Sequence, residues 1–139
     1  MVLRRNLQKL LLIVAMAMVA SGCESLDRRE LVWQGLHAVD VAQTLNAAGD
    51  PCYKETAWLT AKIIGEQPSD AEVLAWGVGT AVVHMLIANE LERRNAPRWL
   101  QATWSIGTIV STGYTVVDNH RNGVRPWGDN LDHDACLVR

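Results

Sequence analysis

The chain of 139 residues contains no phenylalanine, although it has six tryptophans and 49% of its residues are hydrophobic. Tryptophan is favoured at membrane interfaces, because its ring is apolar and its one N–H needs a polar partner. The chain also lacks an excess of basic charge. Its formal net charge is −2, so no basic surface indicates a nucleic-acid partner. A chain this short forms one domain at most.

Enzyme signatures are missing as well. The sequence has no HExxH motif, no CxxC motif, no nucleophile elbow and no glycine-rich phosphate loop. His37 and Asp40, three positions apart on a predicted helix, could bind a metal or relay a proton, and Asp132-His133-Asp134 could attract a metal. Such groups more often bond to a neighbouring helix or are solvated. We therefore expect no enzyme activity, no metal and no cofactor.

The N-terminus has the three parts of a secretory signal. Arg4, Arg5 and Lys9 form its positive region, and the apolar core runs from Leu10 to Val19. No acidic residue precedes Glu24. Removing residues 1–22 takes away these three of the 13 basic residues and none of the 15 acidic ones, which leaves a net charge of −5.

The end of this signal resembles the lipobox of bacterial lipoproteins. Ala20 takes the aliphatic position, Ser21 and Gly22 are the two small residues, and Cys23 follows at once. The resemblance implies that Cys23 becomes the mature N-terminus and carries diacylglycerol plus an acyl chain such as palmitate. Several acyl chains together anchor a protein stably in a membrane. An uncleaved N-terminal membrane helix is the alternative.

Cysteine is rare, with Cys52 and Cys136 remaining once Cys23 carries lipid. An exported chain in an oxidising compartment tends to pair such an even remainder. We therefore predict a disulfide bond between Cys52 and Cys136, with two free thiols as the alternative.

Almost all of the remaining sequence predicts helices, so we expect an all-α fold: a signal helix, then a small three-helix bundle and a polar C-terminal tail. Ser69 and Glu72 form a capping box that starts the second helix, and Pro97 follows its end. His37, Asp40 and Thr44 share one face of the first helix. The expected divisions are a signal at 1–22, a helical domain at 23–118 with helices near 27–47, 69–94 and 97–118, and a tail at 119–139.

The second and third helices are candidates for crossing a membrane. No charged residue lies between Glu72 and Glu90 or between Arg98 and Asp118. These runs measure about 26 and 28 Å as helices, close to the roughly 30 Å of a hydrocarbon core. Their many small residues would allow close helix contacts in a membrane. A buried helical hairpin in a soluble bundle is the alternative.

The link between these helices is basic. If the hairpin spans, the positive-inside rule places the link, with its arginines Arg93, Arg94 and Arg98, in the cytoplasm. Cys52 and Cys136 would then lie outside. If the first helix also spanned, the link would face outward against the rule. We therefore expect two spans after the lipid anchor, or none.

From the first helix onward, the sequence also resembles a loose group of small uncharacterised bacterial and prophage membrane proteins. Their pattern has a His, an Asp and a Thr on the first helix, matched here by His37, Asp40 and Thr44. A short Glu-x-Asn-Pro motif follows in the group. Glu55 and Thr56 match its beginning, whereas Ala57-Trp58 replaces the Asn-Pro. The resemblance implies membrane residence.

Three functions fit these observations. The first is a non-enzymatic cell-envelope lipoprotein that binds or occludes an envelope protein, for example in superinfection exclusion by a prophage. The second is a small polytopic subunit of a membrane complex, and the third is an intramembrane enzyme or ion-handling protein built on His37, Asp40 and His84. Glu24 after the cysteine favours the outer membrane for a simple lipoprotein. A spanning hairpin would favour the inner membrane.

Overall fold

The computed structural model describes residues 28–128 and residue 130. Four helices follow in chain order: α1 Arg28–Ala47, α2 Trp58–Ile64, α3 Asp70–Arg93 and α4 Arg98–Arg121. No strand occurs within the described ranges, which confirms the predicted all-α class. The predicted signal helix lies outside them.

The start of α3 has the local chemistry that the sequence predicts. The Ser69 hydroxyl accepts from the backbone N–H of Glu72 at 3.4 Å, and the Glu72 carboxylate accepts from the backbone N–H of Ser69 at 2.8 Å. These bonds satisfy two donors that a helix start would otherwise leave unpaired. The helix then continues to Arg93, shortly before Pro97.

The helix α4 runs three residues beyond its predicted end at 118 and finishes at Arg121. The reason is tertiary, because Asn119 in this extra turn donates to the carboxylate of Asp40 on α1 at 3.0 Å. Gly123, with a φ of 84°, then reverses the chain. A left-handed φ of this kind suits glycine because it has no Cβ.

Helix α1 lies between α3 and α4 and packs against both, whereas α3 and α4 contact each other less. It runs antiparallel to α3, since Glu30 near its start contacts His84 and Leu45 near its end packs with Val73. It runs parallel to α4, since Trp33 bonds to Thr112 and residues farther along α1 bond farther along α4. The first helix is therefore the centre of the bundle.

The apolar core is small and sits at the end of the bundle where α1 finishes. Its buried members Leu45, Ala48 and Val73 pack with Val41, Ile64 and Leu74. Close approach of α1 and α3 depends on Gly77, because a Cβ built there would lie 2.7 Å from Cγ2 of Val41. A larger residue at 77 would therefore push the two helices apart.

The described part of the C-terminal segment lies against α1. Asn46 on α1 donates to the carbonyl oxygens of Arg125 and Gly128 at 3.0 and 3.1 Å. The side-chain amide of Asn130 in turn donates a hydrogen bond to the carbonyl oxygen of Asn46 at 3.2 Å. Side-chain amides therefore hold this segment in place where few apolar residues are available.

Candidate functional site: a buried polar and aromatic cluster

The middle of the bundle holds a buried ion pair. Nδ1 of His84 on α3 lies 2.9 Å from one carboxylate oxygen of Glu30 on α1, and both side chains are 4% exposed. Gln34 donates to the other carboxylate oxygen at 2.8 Å. Buried charges require partners of this kind, because leaving water costs several kcal/mol per ion.

The other ring nitrogen of His84 contacts α4. Nε2 lies 2.9 Å from the hydroxyl of Thr108, and that hydroxyl also lies 2.8 Å from the carbonyl of Trp104. This hydroxyl therefore joins the imidazole of His84 to the backbone of α4.

Four aromatic rings form a continuous stack through the three helices. Trp33 on α1 lies between two histidines, with ring centroids 4.7 Å from His37 and 3.6 Å from His84. Trp104 on α4 stacks on the far side of His84 at 4.8 Å. The Trp33 N–H donates to the Thr112 hydroxyl at 3.0 Å. The stack fixes both histidines in place.

His37 bonds to the backbone of α3. Its Nε2 donates to the carbonyl oxygen of Gly77 at 2.9 Å and lies 2.9 Å from the hydroxyl of Thr80. Burial lowers the pKa of His37 below its usual value, and the bond to Gly77 and the neighbouring His84 act less strongly, in opposite directions. The neutral imidazole is thus favoured at this position.

Asp40 lies one turn further along α1 and belongs to a second polar group. Burial raises its pKa to about 6, the nearby Glu55 adds to this rise, and the bond from Asn119 opposes it. The buried amide of Gln43 donates to the carbonyls of Val116 and Val124 at 3.1 and 3.2 Å. This group joins α1 to the end of α4.

The predicted polar face of α1 is therefore only partly brought together. His37 and His84 are joined through Trp33, whereas Asp40 bonds to Asn119 instead. The Thr44 hydroxyl donates to the carbonyl of Asp40 within its own helix at 3.0 Å. Among the described residues, no group of three or more His, Cys, Asp and Glu side chains could hold a metal ion.

Sequence reasoning missed several members of the cluster. Glu30 and Trp33 precede His37 at spacings of seven and four, so the same helix face extends toward the N-terminus. Gln43 lies outside the predicted face of His37, Asp40 and Thr44, yet it is 1% exposed. Apart from its residue type, nothing in the sequence indicated that Trp104 belongs to the cluster. Glu30 and Trp33 could have been found by following the face of His37 over the whole length of α1.

The cysteines divide between described and undescribed parts of the chain. Cys52 is a disulfide-bonded cysteine, but its partner lies outside the described residues. Cys23 and Cys136 also lie outside them. The pairing of Cys52 with Cys136 and the lipid on Cys23 stay predictions.

The outside of the bundle contrasts with its interior. The buried polar residues are Glu30, His37, Gln43 and His84. The exposed large apolar residues of α3 and α4 are Val78, Val82, Val83, Leu86, Trp99, Leu100, Ile106, Val110, Tyr114 and Val117. The described part of the bundle thus combines buried polar side chains and a small apolar core with many large apolar side chains exposed on α3 and α4.

One described helix, α3, is long and apolar enough to cross a membrane. Only 17% of its most apolar window is buried within the bundle, whereas a core helix would be mostly buried. This is compatible with association of the protein with a membrane. No protein-family model, curated protein or solved structure matches the chain.

Proposed function

We propose that the protein is a non-enzymatic lipoprotein of the bacterial cell envelope that acts by binding another envelope protein through the apolar outer faces of α3 and α4. The observation that carries this proposal is the set of large apolar side chains exposed on α3 and α4. Contiguous exposed apolar surface of this kind marks an interaction site. The partner is expected to present an apolar surface, such as helices of a membrane protein.

The buried cluster supports a structural role for its polar side chains. Glu30 and His84 are each 4% exposed and bond to each other, and His37 is held by Gly77 and Thr80. A catalytic group must come within hydrogen-bond distance of its substrate. The enzyme and ion-handling hypothesis would need a substrate or ion to reach Glu30, His37 or His84, and each of these side chains instead bonds to groups of the protein.

The bundle also constrains how an anchor at Cys23 could be arranged. Helix α1 starts beside His84, and α3 continues about 14 Å beyond that level to the basic link at 94–97. Five residues lead back from Arg28 to Cys23, a reach of at most ~18 Å. The opposite end of α1 is ~29 Å away. A lipid on Cys23 would therefore lie near the link end of the bundle.

The proposed arrangement differs from the expected one, in which Cys23 lies outside and the link lies in the cytoplasm. In the proposed arrangement, the anchor and the link face the same side of the membrane. Arg94, Arg98 and Trp99 are exposed at this end. Arginine and tryptophan suit a headgroup region, because one carries positive charge and the other an amphipathic ring. The bundle then stands on the outer side, with its apolar faces available to a partner.

A second candidate is a small polytopic subunit of a membrane complex, favoured by the length and apolar surface of α3. In that case the N-terminal signal stays uncleaved and Cys23 carries no lipid. Lipid would then cover the outer faces of α3 and α4. The two candidates therefore differ in processing at Cys23 and in what touches the apolar faces.

The anchor is tested by metabolic labelling with an alkyne fatty acid, followed by the mass of the mature N-terminus. The wild type should carry label on a chain that begins at Cys23, and Cys23→Ser should remain a longer, unlabelled precursor. Cys52→Ser is the matched control and should keep the label. Equal labelling of the wild type and Cys23→Ser would refute the lipoprotein proposal.

The binding surface is tested with a photocrosslinking amino acid at Val83 on α3 or Val110 on α4, which are 54% and 63% exposed. A probe at the exposed Glu66 serves as the control. Discrete protein adducts at positions 83 and 110, but not at 66, would support the proposed function. Adducts to lipid alone would reject it in favour of the polytopic subunit.

A further inference from the structure

An apolar groove opens between α3 and α4 near the link end of the bundle. It has a volume of about 350 Å³, and its lining is almost entirely apolar. Its walls include Ile87, Leu91, Leu100, Trp104 and Gly107. Gly107 leaves one wall without a side chain, and a Cβ there would meet nothing within 4 Å. The groove is therefore a narrow, open slot of hydrocarbon character.

This groove lies near the start of α1. A second, more polar groove reaches Glu30 near the start of α1 and shares Leu91 and Trp104 with the apolar one. The apolar groove extends from Leu100 to Thr108, which is ~12 Å along the helix. Cys23 is five residue steps from Arg28, and a fully extended chain of this length spans at most ~18 Å. The side chain of Cys23 can thus come to either end of the groove.

One wall of the groove also carries a donor without a partner. Nε1 of Trp104 is buried and has no hydrogen-bond partner. This N–H is closed off from solvent, and the groove itself offers almost no polar surface, so its character is that of a hydrocarbon site.

We propose that the groove between α3 and α4 binds an acyl chain of the lipid attached to Cys23. This inference rests on the proposed lipoprotein function, because it requires the lipid. The acyl chain lies along Ile87, Leu91 and Leu100. The lipid anchor then contacts the bundle directly, through this groove.

Labelling with a fatty acid that carries both a diazirine and an alkyne tests this directly in the full-length protein. After irradiation, digestion and mass spectrometry, the labelled Cys23 peptide should be crosslinked to peptides that contain Ile87–Leu91 or Leu100–Gly107. Gly107→Leu should fill the slot and reduce this crosslink at least fivefold relative to total label. Gly79→Leu is the matched control, since Gly79 is an exposed helical glycine with nothing within 4 Å of its Cβ position.

A second blocking variant, Thr103→Trp, guards against a folding defect specific to position 107, and thermal unfolding of each variant checks its fold. Label on Cys23 without crosslinks to α3 or α4 would overturn the groove proposal and leave the lipoprotein proposal standing. Crosslinks that persist in both folded blocking variants would also overturn it. If the wild type carries no label on Cys23, both proposals fail.

Discussion

The imidazole of His84 and the carboxylate of Glu30 form a close pair, with 2.9 Å between Nδ1 and the nearest oxygen, in the middle of a bundle whose helices α3 and α4 expose large apolar side chains. The two residues are far apart in sequence, and only the antiparallel packing of α1 on α3 brings them together. Their pairing sets the relative height of the two helices, because neither group can be left alone at this depth.

Removing one partner of this pair should lower the stability of the folded protein. We expect Glu30→Ala to lower the free energy of unfolding by about 1–3 kcal/mol, because a buried ring nitrogen of His84 loses its hydrogen-bond partner. Urea unfolding followed by circular dichroism measures this. Glu66→Ala, which breaks the exposed pair with Lys54, is the control and should cost at most ~1 kcal/mol. Equal effects of the two substitutions would contradict a stabilising role for the buried pair.

The contact of Gly77 with Val41 predicts opposite effects at two neighbouring glycines. Gly77→Ala should destabilise the protein by about 1–3 kcal/mol, because the new methyl group overlaps Val41. Gly79→Ala meets nothing within 4 Å and should stabilise α3 by up to ~1 kcal/mol through helix propensity. Thermal unfolding of both variants decides this, and a gain in stability for Gly77→Ala would show that the helices can separate without cost.

Asp40 should make stability fall as the pH rises from about 4 to about 6. Its pKa is raised from 3.8 to about 6 in the folded protein, so the unfolded chain loses this proton first. The stabilisation that Asp40 contributes is complete below its pKa in the unfolded chain and is lost as the pH rises through its pKa in the folded protein. The total change in the free energy of unfolding is on the order of 3 kcal/mol.

The measurement is urea unfolding at several pH values between 3.5 and 7 for the wild type, Asp40→Asn and the control Asp118→Asn. Asp40→Asn should flatten the profile across this interval, whereas Asp118→Asn should keep the wild-type slope. The same slope in Asp40→Asn and the wild type would mean that another group titrates.

Asn46 should control the segment that follows α4. Asn46→Ala removes the donor that bonds to the carbonyls of Arg125 and Gly128. Hydrogen exchange in residues 122–128 should become at least tenfold faster, while the middle of α3 stays protected. Gln67→Ala, at an exposed position, should leave both regions unchanged. Unchanged exchange in the Asn46 variant would show that other contacts hold the segment.

The predicted disulfide bond between Cys52 and Cys136 has a direct chemical test. Mass spectrometry of the exported protein without reduction should recover the two cysteines in one linked peptide pair. Replacing either cysteine with serine should expose the C-terminal tail to proteolysis to the same extent, and the double variant should be no worse. Free thiols at both positions in freshly trapped protein would rule out this pairing.

Local chemistry by itself determined the helices and several of their ends. The capping box of Ser69 and Glu72 and the position of Pro97 are signals within a few residues of each other, so the sequence placed α3 within one residue at each end. The shared face of His37 and Asp40 was also predictable, because it depends only on helical periodicity.

Only the tertiary structure decided which polar groups meet. His84 pairs with Glu30 and not with Asp40, because the antiparallel offset of α1 and α3 places Glu30 at its level. The parallel direction of α1 and α4 likewise puts Arg28 toward the end that carries the basic link, which hydropathy and charge could not reveal. Offset and direction arise from side-chain packing, as where Val41 meets Gly77, and no short stretch of sequence contains that information.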